Sequence, residues 1–221
     1  MREIAVSTVH LSGLRTDGAL LDDVERERWQ RLRTAALRDT FAAAHWARRM
    51  ILAENLGSDP AGLRFATGRW GKPELVNRAL FHSFSHSGDV AIIAMSPADP
   101  IGVDVEKIRS DLPAIRLAGT FFRPCEARAV ESAADQPARY IRLWTRKEAA
   151  GKVTGISLDR TLVIEVDGDG QRPIDLEHVD GSPAKARVTD IDAPDGFLAA
   201  VAMLGAEPFA VRPSMSRLVP A

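Results

Sequence analysis

Two carboxylates two residues apart are the first feature of this chain that could do chemistry. Asp104 and Glu106 lie in the apolar, β-branched run Ile101–Lys107. Residues i and i+2 of a β-strand face the same side, and neighbouring carboxylates repel each other unless a proton or cation lies between them. Mg²⁺ is the natural partner, because it takes carboxylate oxygens and often substrate phosphates. The alternative is a strand with a solvated acidic face, and this pair alone does not decide between the two.

A second stretch, Leu143–Lys152, adds a third carboxylate and further cations. If it is helical, Trp144, Glu148 and Lys152 follow one another at i, i+4 spacing on one face. The alternative is an ordinary i, i+4 ion pair, which stabilises a helix by only ~0.3–0.5 kcal/mol. For this stretch alone, the alternative is the better supported.

Two further segments offer groups that could bind phosphate. Ser85 and His86 precede a buried strand and can both donate hydrogen bonds, and Lys72 lies between Gly71 and Pro73. Taken singly, these fit a capped loop histidine and an exposed cation. A Ser-His-Asp triad is a further reading, but no nucleophile-elbow pattern surrounds the serines. Together with three carboxylates they favour metal-assisted transfer or hydrolysis of a phosphate ester.

The elements that would position these residues alternate between strands and helices. The pattern predicts strands at 4–9, 63–66, 90–96, 101–107, 162–166, 186–191 and 197–204, and helices within 22–57, 112–133 (broken at 121–124) and 138–154. This order indicates an α+β fold in two halves. We expect an N-terminal half at 1–101 that contacts the cosubstrate, a C-terminal half at 102–205 with the metal site, and a tail at 206–221.

The composition excludes several classes of function. The chain has 221 residues, a formal net charge of −1 and one cysteine. Nothing in it favours nucleic acid or a membrane surface as a partner, and no apolar run reaches the ~20 residues that span a bilayer. A lone cysteine fits a reducing compartment, and no signal-peptide pattern is present. We expect a cytoplasmic globular protein.

These motifs, in this order, resemble the 4′-phosphopantetheinyl transferases, specifically the single-chain, surfactin-synthetase-activating type. The resemblance covers roughly residues 60–160, and its most specific parts are Gly102–Glu106 and Trp144–Ala149 with Lys152. It implies two similar α/β halves in pseudo-two-fold arrangement with the active site between them. It also implies Mg²⁺ as metal, coenzyme A as cosubstrate, and transfer of the phosphopantetheine arm to a serine of an apo carrier protein, releasing 3′,5′-ADP. The carrier would be of peptide-synthetase, polyketide-synthase or fatty-acid type.

The resemblance also assigns residues to roles. Asp104, Glu106 and Glu148 match the metal-binding acids, and Lys152 the lysine on the pyrophosphate. The remaining matches are Lys72, Ser85 and His86 as coenzyme A contacts, Arg38 and His45 as candidates for the 3′-phosphate, and Glu126 as a glutamate that helps as base. Glu126, Glu148 or a water molecule beside the metal could each take the serine proton.

The sequence departs from the family pattern at Ser83, where the family often has an asparagine, and at His45. The family usually has an arginine near His45, and a histidine grips phosphate less well, so we expect weaker or pH-dependent coenzyme A affinity. Apolar residues within 112–122 would form a docking ridge for the carrier, or else pack in the core. The alternative functions are a Mg²⁺-dependent phosphohydrolase or nuclease and a non-catalytic partner-binding relative. We expect a monomer, because two halves in one chain already supply a pseudo-dimer.

Overall fold

The computed structural model describes residues 2–14, 16, 18–77 and 79–214. The strands are β1 (Glu3–His10), β2 (Phe65–Thr67), β3 (Pro73–Leu75), β4 (Phe81–Ser87), β5 (Val90–Ser96), β6 (Ile101–Lys107), β7 (Arg172–Glu177), β8 (Pro183–Ile191), β9 (Phe197–Leu204) and β10 (Ala210–Pro213). The helices are α1 (Asp23–Arg31), α2 (Ala35–Leu56), α3 (Ala114–Phe121), α4 (Pro124–Glu131), α5 (Gln136–Thr154) and α6 (Leu158–Leu162), with a 3₁₀ turn at Pro60–Gly62. None of the described helices is long and apolar enough to cross a bilayer.

The N-terminal half packs the long helix α2 on a four-stranded sheet of order β10-β1-β5-β4. Thr34 caps the start of α2 by accepting a hydrogen bond from the Leu37 N–H, and Gly57 ends it with a left-handed φ of 59°. Asp22 and Glu25 form a capping box at the start of α1. The predicted helical segment 22–57 is therefore two helices, and α2 carries His45 and Arg48 towards the centre of the molecule.

The C-terminal half packs α5 across an antiparallel sheet of order β6-β9-β8-β7. The approach between β6 and α5 is so close that a Cβ atom on Gly102 would overlap the carbonyl oxygen of Ala149. Asp135 caps α5 through the Ala138 N–H, and Gly155 ends it with a φ of 69°. This packing fixes α5 against the strand that carries Asp104.

The two sheets share a hydrophobic core, so the halves are not independent bodies. Ile4, Val6 and Ile92 from the first sheet pack with Val103 and Val201 from the second. Strand β5 is buried along its whole length, with Ile92 in this shared core and Ile93 against the α2 side. A strand that is buried on both faces reads as a continuous apolar run, as predicted for 90–96.

The two halves share part of their topology. In each, the first strand is followed by a long helix and pairs antiparallel with the last strand (β1 with β5, β6 with β9), which pairs antiparallel with the strand before it (β4, β8). The halves differ in the small β2–β3 ladder of the first and in the additional strand β7 of the second. The shared part agrees with the α+β class and supports the pseudo-two-fold arrangement, which stays a prediction, as do the boundaries at 101 and 205.

Two expectations about elements are wrong. Residues 210–213 of the predicted tail form β10, which pairs in parallel with β1, whereas residues 215–221 lie outside the described part. The predicted strand at 162–166 is instead the end of α6 and an irregular segment. The carbonyls of Leu162 and Ile164 accept hydrogen bonds from the Lys147 ammonium, and the Val166 N–H donates to Glu126. Its backbone groups are thus satisfied by side chains and not by a strand partner.

Candidate active site

A cavity of about 790 Å³ lies where the two halves meet. Both halves line it, with His45 and Arg48 from α2, His86 from β4, and Glu148 and Lys152 from α5. Its mouth carries the exposed side chains of Trp70 and Leu158. The cavity is thus large enough for a nucleotide-sized ligand and combines aromatic, cationic and carboxylate groups.

Asp104 is 3% exposed and does not itself line the cavity, but it contacts Lys152 of the cavity wall. Its Oδ1 accepts hydrogen bonds from Ser85 Oγ and Lys152 Nζ, both at 2.7 Å. Its Oδ2 is buried and has no hydrogen-bond partner among the described residues. An unpartnered buried carboxylate oxygen is costly, so this atom is available to a ligand that supplies positive charge.

Glu106 lies on the same strand at the edge of a second cavity of about 470 Å³. Ser87 Oγ donates to its Oε2 at 2.6 Å. Burial raises the pKa of Glu106, the hydrogen bond from Ser87 opposes that shift, and the charge of Asp104 adds to it. The predicted repulsion between the two carboxylates is therefore present, although burial is the larger cause of the shift.

Glu148 lies on α5 and lines the larger cavity. Burial raises its pKa, the Lys152 charge opposes that shift, and Asp104 and Glu106 both add to it. All three predicted acids thus lie within electrostatic reach of one another. The structure pairs Lys152 with Asp104 across the β6–α5 interface, so the i, i+4 ion pair with Glu148 is not the partnership that forms.

A buried ion network supports the opposite wall. Glu25 of α1 accepts hydrogen bonds from His45 Nδ1 at 2.9 Å, from Arg49 at 3.2 Å and from Arg48. Burial favours the neutral carboxyl, but the hydrogen bond from His45 and the charge of Arg48 outweigh it and hold the pKa of Glu25 far below its usual range. Glu25 therefore fixes two cavity-lining side chains of α2 in place.

The two histidines of the cavity wall are poorly suited to carry charge. Burial lowers the pKa of His45, and the hydrogen bond to Glu25 only partly opposes it. Burial also lowers the pKa of His86 to about 4, with repulsion from His45 and Lys152 adding to the shift. Both imidazoles are neutral near pH 7 and act as hydrogen-bonding groups.

Lys72 also reaches the cavity, but its ammonium already has partners. Nζ donates to the carbonyls of Ile101 at 3.1 Å and Val153 at 3.2 Å. Burial lowers the pKa of Lys72 to about 8, with Glu74 opposing and Lys152 adding to the shift. Lys72 therefore ties the 68–73 loop to the C-terminal half, besides contributing to the cavity wall.

Three of the predicted site residues lie elsewhere. The Arg38 guanidinium donates to the Leu32 carbonyl in the α1–α2 connection and does not line the cavity. Ser85 points across to Asp104, because successive residues of β4 face opposite sides and His86 faces the cavity. Glu126 is 0% exposed and pairs with Lys147 at 2.7 Å, so a carrier serine has no access to it as a base.

Sequence reasoning missed Glu25, Arg48 and Ser87. Arg48 is one of seven arginines in 22–57, and nothing in the sequence separates the two that are buried, Arg48 and Arg49, from those on a solvated helix face. The signal for Ser87 was present: Ser83, Ser85 and Ser87 alternate with period two, which places all three on one face of a strand.

The three predicted metal ligands, Asp104, Glu106 and Glu148, offer only carboxylate oxygens to a divalent ion. In the described part of the chain, no three His, Cys, Asp or Glu side chains stand in a metal-binding arrangement. Burial, together with the charges of neighbouring acids, nevertheless raises the pKa values of Glu106 and Glu148, with Lys152 opposing both shifts and Arg109 also opposing that of Glu106, and Asp104 Oδ2 has no hydrogen-bond partner among the described residues. All-oxygen donors of this kind fit Mg²⁺ or Mn²⁺.

Comparison with known proteins places this fold and site in a family. The family model described as the 4′-phosphopantetheinyl transferase superfamily matches residues 100–202, which include Asp104, Glu106, Glu148 and Lys152. The 4′-phosphopantetheinyl transferase HetI of Nostoc sp. is 31% identical over 200 residues, which are 88% of this chain and 83% of the relative. The chain belongs to the 4′-phosphopantetheinyl transferase superfamily, as its motifs predicted, and is a transferase enzyme.

Further relatives carry the same name. A 4′-phosphopantetheinyl transferase of Bacillus subtilis is 34% identical over 152 residues, 65% of each chain. The 4′-phosphopantetheinyl transferase AcpT of Salmonella typhi is 34% identical over 131 residues, 54% of this chain and 66% of the relative. Coverage is shorter for a relative from Synechocystis sp., of which this chain spans 58%.

Proposed function

We propose that this enzyme transfers the 4′-phosphopantetheine arm of coenzyme A to a serine of an apo carrier protein, with Mg²⁺, releasing 3′,5′-ADP. The observation that carries the proposal is the cavity between the halves, which is lined by Glu148, Lys152 and two neutral histidines, with the Lys152 ammonium hydrogen-bonded to the buried Asp104. A pyrophosphate needs positive charge on its leaving side, and a nucleotide needs a cavity of this size. The surfactin-synthetase-activating type, with peptide-synthetase, polyketide-synthase or fatty-acid carriers, belongs to the same proposal.

The roles follow from where each side chain lies. Lys152 and Arg48 supply positive charge to the phosphates, and His86 can donate a hydrogen bond as a neutral imidazole. The single N–H of neutral His45 donates to Glu25, so His45 shapes the cavity wall and does not donate to a phosphate. Asp104, Glu106 and Glu148 are the residues that would hold Mg²⁺, which when bound neutralises charge on the leaving pyrophosphate. Glu148 lines the cavity and its pKa is raised, so it is the carboxylate best placed to take the serine proton.

The second cavity supports a docking place for the carrier. Leu112, Leu117 and Trp144 line it next to Glu106, with Lys107 and Arg109 at its rim. Of the predicted docking ridge, Ile115 and Phe121 are exposed at 47% and 45%, while Phe122 packs in the core against Tyr140. A partner helix with apolar and acidic side chains would complement this surface. We expect the enzyme to act as a cytoplasmic monomer.

Intact mass spectrometry of an apo carrier, incubated with the enzyme, coenzyme A and Mg²⁺, tests the proposal. A gain of ~340 Da, one phosphopantetheine arm, is expected, and it should be absent without metal and with Asp104→Ala. Lys185→Ala, which changes an exposed lysine of β8, is the matched control and should transfer normally. No gain with any carrier type, together with no coenzyme A binding, would sink the proposal and favour the phosphohydrolase.

A further inference from the structure

Three serines join the two halves of the molecule where no backbone ladder does. Strands β4 and β6 are the edge strands of different sheets. Ser83 Oγ accepts the Val103 N–H at 3.0 Å, and Ser87 Oγ accepts the Lys107 N–H at 3.2 Å. We call Ser83, Ser85 and Ser87 the serine row. It satisfies N–H groups that a sheet edge would otherwise leave without a partner.

Two members of the serine row also hold the carboxylates of β6. Ser85 Oγ donates to Asp104 Oδ1 at 2.7 Å, and Ser87 Oγ donates to Glu106 Oε2 at 2.6 Å. A hydroxyl has one proton to donate. Because the Ser87 oxygen accepts the Lys107 N–H, the direction of its proton is set by the backbone and points to Glu106.

We propose that Ser87 is a positioning residue for the metal site, which holds one oxygen of Glu106 so that the other faces the metal together with Asp104. This inference rests on the proposed function, since the metal role of these acids belongs to it. Ser85 does the same for Asp104, whose Oδ2 is left buried without a hydrogen-bond partner among the described residues.

The physical reason lies in the flexibility of the acid. A glutamate side chain has several rotatable bonds, and fixing them costs side-chain entropy. Glu106 is half-buried near the end of β6 and lines the second cavity, whereas Asp104 is buried. A charge-assisted hydrogen bond from a hydroxyl that is anchored to the backbone reduces this cost before the metal binds.

Metal affinity measured directly tests the inference. Mn²⁺ is titrated into the enzyme with saturating coenzyme A and no carrier, and free Mn²⁺ is followed by electron paramagnetic resonance. Ser87→Ala should weaken Mn²⁺ binding by roughly 10-fold, as for other residues that orient metal ligands. Ser87→Thr keeps the hydroxyl and should restore the affinity. Ser85→Ala removes the corresponding bond to Asp104 and should weaken binding as well.

Ser83→Ala is the matched control, because Ser83 bonds a β6 N–H but no carboxylate. It should lower thermal stability like Ser87→Ala and leave Mn²⁺ affinity within about twofold. The inference is overturned if Ser83→Ala weakens Mn²⁺ as much as Ser87→Ala, if Ser87→Ala binds it like the wild type, or if the wild type binds no Mn²⁺. Normal Mn²⁺ binding without transfer to any carrier would contradict the proposed function and leave this inference standing.

Discussion

Single residues of β4 show what motif matching leaves undecided. The resemblance placed Ser85 and His86 together on the phosphates of coenzyme A, yet adjacent residues of a strand face opposite sides. Ser85 donates a hydrogen bond to Asp104, and His86 lines the cavity. Glu148 and Lys152 line the cavity and Asp104 contacts Lys152, while their roles at a metal and a pyrophosphate stay predictions. Glu126 could not be corrected from the sequence, because its pairing with Lys147 depends on the tertiary structure, whereas Arg38 bonds the nearby Leu32 carbonyl in the α1–α2 connection.

The protonation state of His45 determines whether this residue makes coenzyme A affinity depend on pH near neutrality. The sequence suggested pH-dependent coenzyme A affinity, because a histidine stands near an expected arginine. The structure revises this: burial lowers the pKa of His45 below its ordinary 6.5 and that of His86 to about 4. Because both pKa values lie below 6.5, the neutral form of each imidazole predominates above pH 6.5, and Lys72, with a pKa of about 8, stays largely protonated up to about pH 7. The coenzyme A dissociation constant, measured calorimetrically without metal, should therefore change less than about twofold between about pH 6.5 and 7.

The variant His45→Gln serves as the control, since an amide retains hydrogen-bonding capacity and does not titrate. Its dissociation constant should show the same flat profile as the wild type. A wild-type affinity that rises by more than about twofold as pH falls from about 7 to 6.5, with the rise lost in His45→Gln, would contradict the structure. It would restore the expectation that His45 binds the 3′-phosphate as a cation.

Among the elements, the pair β6 and α5 matters most, because it brings Asp104 and Lys152 together. Periodicity predicted both elements, but not that a glycine lets them touch. A Cβ at Gly102 would overlap the Ala149 carbonyl, which is backbone and cannot rotate away. Gly102→Ala should therefore lower the free energy of unfolding by about 3 kcal/mol. Urea denaturation measures this, and the loss of the Asp104–Lys152 contact should lower transfer activity in the variant that remains folded.

Gly119→Ala is the matched control for this prediction. Gly119 lies in α3, is exposed, and an added Cβ would meet no atom within 4 Å. Alanine has the higher helix propensity, so this variant should be more stable by about 0.5–1 kcal/mol. If both glycine variants shifted stability in the same direction and by similar amounts, close packing of β6 on α5 would not be the cause.

The segment 162–166 was predicted as a strand but is the end of α6 and an irregular stretch. The letters of 162–166 are apolar and β-branched, which is typical of a strand. The buried pair Glu126–Lys147 instead forms hydrogen bonds with the backbone of this segment: Lys147 donates to the Leu162 carbonyl, and Glu126 accepts the Val166 N–H. A lysine buried in a helix and a glutamate far along the chain leave no local signal, so propensity alone could not have found this arrangement.

At the scale of the whole molecule, the two halves are joined because they share a hydrophobic core and because strand β10, which follows the C-terminal half, pairs with β1 of the N-terminal sheet. The chain leaves the C-terminal sheet after β9 and returns to the N-terminal sheet as β10. The proline content of 206–221 favoured a tail, and only four residues form the strand, too few for a periodic pattern. Phe209 lies in the shared core, and its backbone forms two hydrogen bonds with the Gln171 side chain.

Phe209→Ala therefore tests whether the halves unfold together. Removing a buried aromatic side chain should destabilise the protein by about 3–5 kcal/mol, and both halves should lose protection in a single transition. Hydrogen exchange read separately on peptides from β5 and from β9 measures this, because the two strands lie in different sheets. Glu207→Ala, an exposed neighbour, is the control and should leave both transitions in place. Loss of protection in β5 while β9 stays protected would show that the shared core does not couple the halves, and the active site between them would then be only as stable as the weaker one.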